Sequence, residues 1–310
     1  MKLLNRIGFV ILIMSIVIFA GYNYRRKKNV DLDGPVINIE NDLLEVSIHD
    51  DEAVLLQGIT AFDAKDGDVT ASVGVENISG FIEGHICQVD YVAFDNDNHV
   101  ARASRKIEYI DYTIPKFSLD APLKFPVASG VVDILENVHV EDCLDGDISK
   151  QVMFSGNSNV YVNVAADYKV ELYVTNSVGD TQTLPVTVTF YNYTEEVRKP
   201  KIKLKNYLIY INQGESINYI DNIDSVTYGN QEYGITNGRG TYNVDVSEMT
   251  TEEKKAFLEE DPTVNQELFM ISGEADTSTP GVYEVSYELD GIDNERGSIR
   301  LVVVVLGDEK

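Results

Sequence analysis

The chain reads as all-β: three tandem antiparallel β-sandwiches after one N-terminal transmembrane helix, with a short helix inserted in the third module. Three observations predict this. The cassette D-x-x-D-G-D-[VI]-[ST] occurs at Asp63 to Thr70 and again at Asp142 to Ser149, 79 residues apart. A leading motif, Pro-x-[IF]-x-[IL], occurs at Pro35 to Ile39, Pro115 to Leu119 and Pro200 to Leu204, with spacings of 80 and 85. Between these markers apolar residues recur at every second position, the period of a half-buried strand. The 310 residues divide into units of ordinary domain size, each long enough to bury its own core.

Residues 1–6 form a basic tail and 7–24 the expected membrane helix, because 18 uncharged residues separate Arg6 from Arg25. At 1.5 Å per residue that stretch covers about 27 Å, near the hydrocarbon thickness. Ile18 three residues before a cut after Ala20 makes a mediocre cleavage site, so a retained single-pass anchor in the cell membrane is expected, with secretion after cleavage as the alternative. Basic residues flank both ends, and the positive-inside rule alone would keep the body cytoplasmic. The extracellular character of the body argues for an extracytoplasmic location. Residues 25–34 read as a linker.

Module one covers 35–112. Gln88 to Phe94 alternates Val89, Tyr91 and Ala93 inward, and Lys106 to Tyr109 alternates Ile107 and Tyr109. Module two, 113–192, repeats this with Tyr168, Val170 and Leu172, then closes with Leu184 to Phe190. A polar linker is expected over 193–199. Module three, 200–307, has Tyr283, Val285, Tyr287 and Leu289, then Ile299 to Leu306. Polar turns join the two late strands at Asp95 to His99, Asn176 to Asp180 and Asp290 to Gly297. Module three lacks the cassette and carries instead a long insertion, where Thr250 and Glu253 make a capping-box pattern and Pro262 stops the run, predicting a helix of two to three turns near 250–261.

The order of these elements resembles the bacterial immunoglobulin-like domain found in a pesticidal crystal protein and in Gram-positive surface proteins. The likeness rests on Pro35, Ala61 to Thr70, Val89, Tyr91 and Asp95; on Pro115, Asp142 to Ser149, Tyr168, Val170, Val178 and Gly179; and on Ser272 to Tyr287. It runs from Pro35 to Leu306, with the third copy divergent, and Asn98 and His99 stand where the family's late turn has Gly-Asn. The resemblance implies immunoglobulin-like sandwiches acting as spacer or adhesive modules, and no reaction.

Six of the 25 basic residues lie in the first 28, which leaves 19 basic against 51 acidic residues, a net charge of −32, on the rest. That field disfavours nucleic acid and suits divalent cations or basic partners. Cys87 and Cys143 sit at non-equivalent places, so no disulfide framework is implied; Cys87 shares a strand face with Val89 and Tyr91 and reads as a buried thiol.

Two readings of the cassette remain open. In the first, Asp66-Gly67 sets the turn while Asp63 and Asp68 accept backbone N–H groups. In the second, Asp63, Asp66 and Asp68, with Asp95 or Asp97, surround a Ca²⁺, and Asp142, Asp145 and Asp147 form a weaker set with Asn176 or Asp180. No cofactor is otherwise required.

His49, His85, His99 and His139 have no metalloprotease spacing and no nucleophile elbow is present, so an enzyme is not expected. With no Trp among 310 residues, the aromatic surface rests on 18 Tyr. Tyr207, Tyr210, Tyr219, Tyr228 and Tyr233 gather in the divergent module and are the candidate ligand or partner surface. The expected function is a membrane-tethered extracellular stalk, adhesion or partner-presenting protein, with an unknown extracellular protein or glycan as partner. The alternatives are a carbohydrate-binding accessory of a surface polysaccharide system and an unrecognised carboxylate hydrolase.

Overall fold

The computed structural model describes residues 2–29, 33–127, 134–156, 163–242, 244, 247, 249–291 and 295–307. The chain divides into two compact units, Met1–Tyr112 and Thr113–Lys310.

The first unit opens with α1 (Lys2–Asn29). The helix therefore runs through the first half of the expected 25–34 linker. Among the described residues no helix is long and apolar enough to cross a membrane. The spanning helix expected over 7–24 is thus not carried by the described part of α1.

Two sheets follow. One is three-stranded, ordered β1 (Val36–Ile39), β3 (Ile59–Asp63), β4 (Gly67–Asp68). The other is four-stranded, ordered β2 (Leu43–Val46), β7 (Val100–Tyr109), β6 (Ile86–Phe94), β5 (Gly74–Ile78). Cys87, Val89, Tyr91 and Ala93 of β6 are all fully buried, as the alternation predicts. A short helix, α2 (Glu52–Leu55), capped by Asp51 accepting from Ala53 N, links β2 to β3.

The expected sheets are antiparallel throughout, and here the structure differs. After β1 the chain leaves the first sheet and its continuation, β2, lies parallel to the last strand, β7, from Leu43↔Lys106 to Val46↔Tyr109. The opening strand is interrupted at Glu40 to Asp42 and serves both sheets, and its second half runs in the same direction as the closing strand. The same device recurs twice below.

The second unit holds two further pairs of sheets. The first pair comprises β8 (Lys116–Leu119), β10 (Val138–Asp142) and β11 (Gly146–Asp147) in one sheet, and β9 (Lys124–Pro126), β12 (Met153–Phe154), β13 (Ala166–Thr175) and β14 (Thr181–Tyr191) in the other. Strand β9 is parallel to β14. A short α3 (Tyr193–Glu196) follows. The second pair comprises β15 (Lys201–Leu204), β17 (Ile223–Tyr228), β18 (Gln231–Thr236) and β19 (Thr263–Asn265), facing β16 (Leu208–Asn212), β20 (Met270–Ser272), β21 (Gly281–Asp290) and β22 (Arg296–Leu306). Strand β16 is parallel to β22. The insertion carries α4 (Thr251–Glu259), with the Thr250–Glu253 capping box formed in both directions. The turn expected over Asp290 to Gly297 includes residues 292–294, which lie outside the described residues.

These two sheet pairs are joined face to face. Alternation fails at Val186, Thr187 and Val188 in β14 and at Leu301, Val302 and Val303 in β22, where three consecutive residues are buried. Consecutive burial means that both faces of the strand are covered. Val302 belongs to the core cluster of the preceding sandwich, with Tyr207, Leu208, Val282 and Val304 packed against it. The polar linker expected over 193–199 is correspondingly less solvated than its composition suggests: Glu196 is buried, ion-paired to Lys124 and held 3.5 Å from Lys199.

Candidate functional site

In the first two sandwiches the cassette turn and the late turn meet at one end, and side chains tie them together. In the first unit β3 ends at Asp63, whose Oδ1 accepts the backbone N–H groups of Lys65 and Asp66, both at 2.8 Å. Gly67 then takes φ +80°, a left-handed conformation that favours glycine, and turns the chain into β4. Asp66 Oδ2 accepts from Asn96 N at 2.9 Å, which fastens the cassette to the late turn. Asp68 Oδ1 accepts from Thr70 N at 2.9 Å, and the Thr70 hydroxyl accepts from Ala61 N at 3.0 Å. In the late turn Asp95 Oδ1 accepts from His99 N at 2.8 Å and its Oδ2 lies 2.6 Å from His99 Nδ1. Asp97 pairs with Lys65.

The second cassette copies the first. Asp142 Oδ1 accepts from Leu144 N at 2.9 Å and from Asp145 N at 2.8 Å. Asp145 holds the late turn through Ser177 N at 2.6 Å and its hydroxyl at 2.7 Å. Asp147 accepts from Ser149 N at 2.9 Å, and Gly146 has φ +69°.

These bonds set the charge state of the carboxylates. Hydrogen bonds from Asn96 hold Asp66, and hydrogen bonds from Thr70 hold Asp68, below the ordinary aspartate value. Ser149 does the same for Asp147. Burial acts to raise Asp95, but the backbone and ring of His99 outweigh it and the net shift is downward. Asp66, Asp68 and Asp147 are thus favoured as carboxylates that accept from N–H donors of the turns, the arrangement of the first of the two readings. Among the described residues no group of three or more His, Cys, Asp and Glu gathers as a metal-ligand set, neither Asp63, Asp66 and Asp68 with Asp95 or Asp97, nor Asp142, Asp145 and Asp147. Asp66, Asp68 and Asp97 each point to a partner of their own.

The five tyrosines of the divergent module are half-buried and engaged in packing. Tyr207 lies against both core clusters of the second unit. The Tyr210 hydroxyl accepts from Phe117 N at 2.8 Å. Tyr219 accepts from Ala275 N at 2.9 Å through its hydroxyl and from the Tyr287 hydroxyl at 3.0 Å through its carbonyl. Tyr228 and Tyr233 stand edge-on to Tyr242, with centroids 5.9 and 5.2 Å away. Their rings serve packing rather than standing free as a stacking platform. Tyr242, which sequence reasoning missed, is the buried hub, and burial together with its two tyrosine neighbours pushes its hydroxyl pKa up. It sits in the insertion, where no periodicity marks it.

A second polar site lies where the two sandwiches of the second unit join. Strand β9 pairs with β14 only from Thr189 to Tyr191, so the N–H of Thr187 falls on an open sheet edge. Glu284 caps it: Oε1 accepts the Thr187 N–H and Oε2 accepts its hydroxyl, each at 2.6 Å. In return Lys124 donates to Ser298 O at 3.0 Å. Arg300 donates to the Thr189 hydroxyl at 2.6 Å and reaches Asp167 at 2.5 Å. A cavity of about 130 Å³ lined by Lys124, Asp167, Glu288 and Arg300 remains between them.

No family model matches the chain. An uncharacterized 81.3 kDa protein of Acholeplasma phage L2 is 23% identical over 223 residues, which cover 66% of this chain and 29% of that protein. The chain thus spans less than a third of that relative. Among solved structures, the CBM51-2 and INT domains of Clostridium perfringens ZmpB, in complex with GlcNAc, share 20% identity at a TM-score of 0.20, covering 48% of this chain and 26% of that one. The protocadherin GammaB4 extracellular domain shares 11% at 0.18, covering 89% and 50%. Domains 6–7 of the surface layer protein SbsC share 10% at 0.20, covering 50% and 97%. Likenesses at these scores carry no argument, and the β-sandwich assignment rests on the sheets themselves.

Proposed function

We propose that the chain is a non-enzymatic, membrane-tethered protein of the cell exterior whose sandwiches act as rigid spacer and presenting modules. One observation carries this reading: the acid-rich cassettes, the most chemistry-like motif in the sequence, direct Asp66, Asp68, Asp145 and Asp147 onto turns of their own sandwich. The motif builds a turn.

Two further features support it. Phe9, Ile11, Ile13, Val17 and Phe19 of α1 are each at least 46% exposed, and they point to every side of the helix. A helix that is apolar all round belongs in lipid or inside another apolar surface. The second unit, with its two sandwiches joined through a shared apolar contact and the Glu284–Thr187 hydrogen bonds, is suited to hold a surface at a fixed distance.

The test is localisation of the full chain in a bacterial host. Impermeant amine labelling of intact cells is expected to modify the body, and deletion of residues 1–29 is expected to move the protein from the membrane to the soluble fraction. A body protected in intact cells overturns the exterior location. Membrane retention after the deletion overturns the tether.

A further inference from the structure

The polar cavity where the two sandwiches of the second unit join has a chemistry that the fastening role of Glu284 does not use. Its walls come from both sides: Lys124 and Asp167 from the sandwich that contains β14, and Ser286, Glu288, Ser298 and Arg300 from the one that contains β22. A neighbouring cleft of about 300 Å³ shares Lys124, Asp167, Thr189 and Ser298 with it and is lined further by Asn192 and Lys199. The two make one recess, within the size of small-ligand sites.

The charges in this recess are already matched. Arg300 reaches Asp167 at 2.5 Å and donates to the Thr189 hydroxyl at 2.6 Å, while that hydroxyl donates to Asp167 at 2.7 Å. Lys124 and Lys199 both pair with Glu196, and Glu288 accepts from Arg296 at 3.0 Å. An anion entering here meets Asp167 and Glu288, and a cation meets Lys124 and Arg300, so either is opposed by charge of its own sign. A neutral ligand is not. The hydroxyls of Ser286 and Ser298 line the cavity and have no hydrogen-bond partner among the described residues. Groups that both donate and accept, set among carboxylates and cations, match a ligand with several hydroxyls of its own. Pro122, Leu123 and Ile299 add the apolar wall that the C–H face of such a ligand needs.

We propose that this recess binds a neutral, polyhydroxylated ligand, the sugar unit of a glycan, between the two sandwiches of the second unit. Asp167 and Glu288 accept from the sugar hydroxyls, Lys124 and Arg300 donate to them, and Ser286 and Ser298 do both. Both sandwiches contribute, so the ligand is held only while they stay joined. The site is independent of the tether and of where the chain is located.

The experiment is saturation-transfer NMR on the full chain in a detergent without a sugar headgroup. Glucose, galactose and N-acetylglucosamine are the neutral probes and glucuronate the anionic one. Saturable binding of at least one neutral sugar is expected, with a dissociation constant of about 1 mM, the scale open to a ligand of about a dozen heavy atoms. Ser286→Leu fills the cavity without removing a paired group and is expected to weaken binding by about tenfold or more, with the unfolding midpoint unchanged. Ser298→Leu repeats the test at an exposed strand position, where folding is not at issue, and is expected to give the same loss. No saturable binding of these neutral sugars up to about 20 mM, undiminished binding in both variants, or a preference for glucuronate overturns the proposal.

Discussion

Arg105 donates its Nε–H to the Tyr91 hydroxyl at 2.9 Å in the interior of the first unit, with the guanidinium carbon 5.6 Å from the tyrosine ring centre. The remaining donors reach Gln57 O at 2.8 Å and Leu55 O at 2.5 Å, and the Tyr91 hydroxyl also donates to Leu55 O. A buried cation is thus held by neutral oxygens at the C-terminal end of α2, where the orphan carbonyls carry partial negative charge. Arg105→Met is expected to destabilise the first unit by about 2–4 kcal/mol, since it strands those carbonyls. Arg105→Lys should recover only part of this, because a point charge cannot reproduce the three-way fork. Urea unfolding followed by a probe in the first unit checks both, and a Lys variant equal to wild type would show that charge alone matters.

Glu284 is expected to be the main fastening between the sandwiches of the second unit. Glu284→Ala leaves the Thr187 N–H and hydroxyl without partners and should cost about 1–3 kcal/mol. Thr187→Val should cost less, as it removes only the hydroxyl. A double-mutant cycle between the two positions measures the coupling, and a coupling near zero would mean that the edge is capped by water instead.

The two thiols should differ sharply in reactivity. Burial pushes the Cys87 thiol up to about 11, whereas Cys143 is partly exposed and donates to Thr113 O at 3.1 Å. A thiol reagent at about pH 8 is expected to modify Cys143 in the native chain and both residues in denaturant. Cys143→Ser should leave the native protein unreactive.

Acid should weaken the turns. Asp66, Asp68, Asp147 and Asp276 all titrate below their ordinary value of 3.8, chiefly through side-chain hydrogen bonds. A depressed folded value means stability that is fully present above the unfolded value and is lost as pH falls through the folded one. Unfolding midpoints should therefore be flat near neutrality with respect to these groups and decline below about pH 4. Asp68→Asn with Asp147→Asn should shallow that acid limb, and an unchanged limb would assign it to other groups.

Much of the fold is legible in the sequence because one strand face is wet. The alternation of Val89, Tyr91 and Ala93, or of Val285, Tyr287 and Leu289, exists only where inside and outside differ. It fails at Thr187 and Val302, whose outer faces meet a neighbouring sandwich, and a continuous apolar run cannot name what covers it. The turn role of the cassette follows from Asp-Gly and its flanking acids. How each copy is fastened does not, because both read D-x-x-D-G-D and the partners, Asn96 and Ser177, lie on the far hairpin. The crossing of the opening strand between sheets was likewise hidden, since parallel and antiparallel pairing impose the same period.

That crossing has a mechanical consequence. Leu43–Val46 lies beside Val100–Tyr109, Lys124–Pro126 beside Thr181–Tyr191, and Leu208–Asn212 beside Arg296–Leu306, each pair running in one direction. Tension applied through a sandwich's two chain ends slides these strands past one another, so their hydrogen bonds share the load in shear instead of parting one at a time as in peeling. A chain fixed at one end and pulled at the other meets its greatest resistance at these three short ladders.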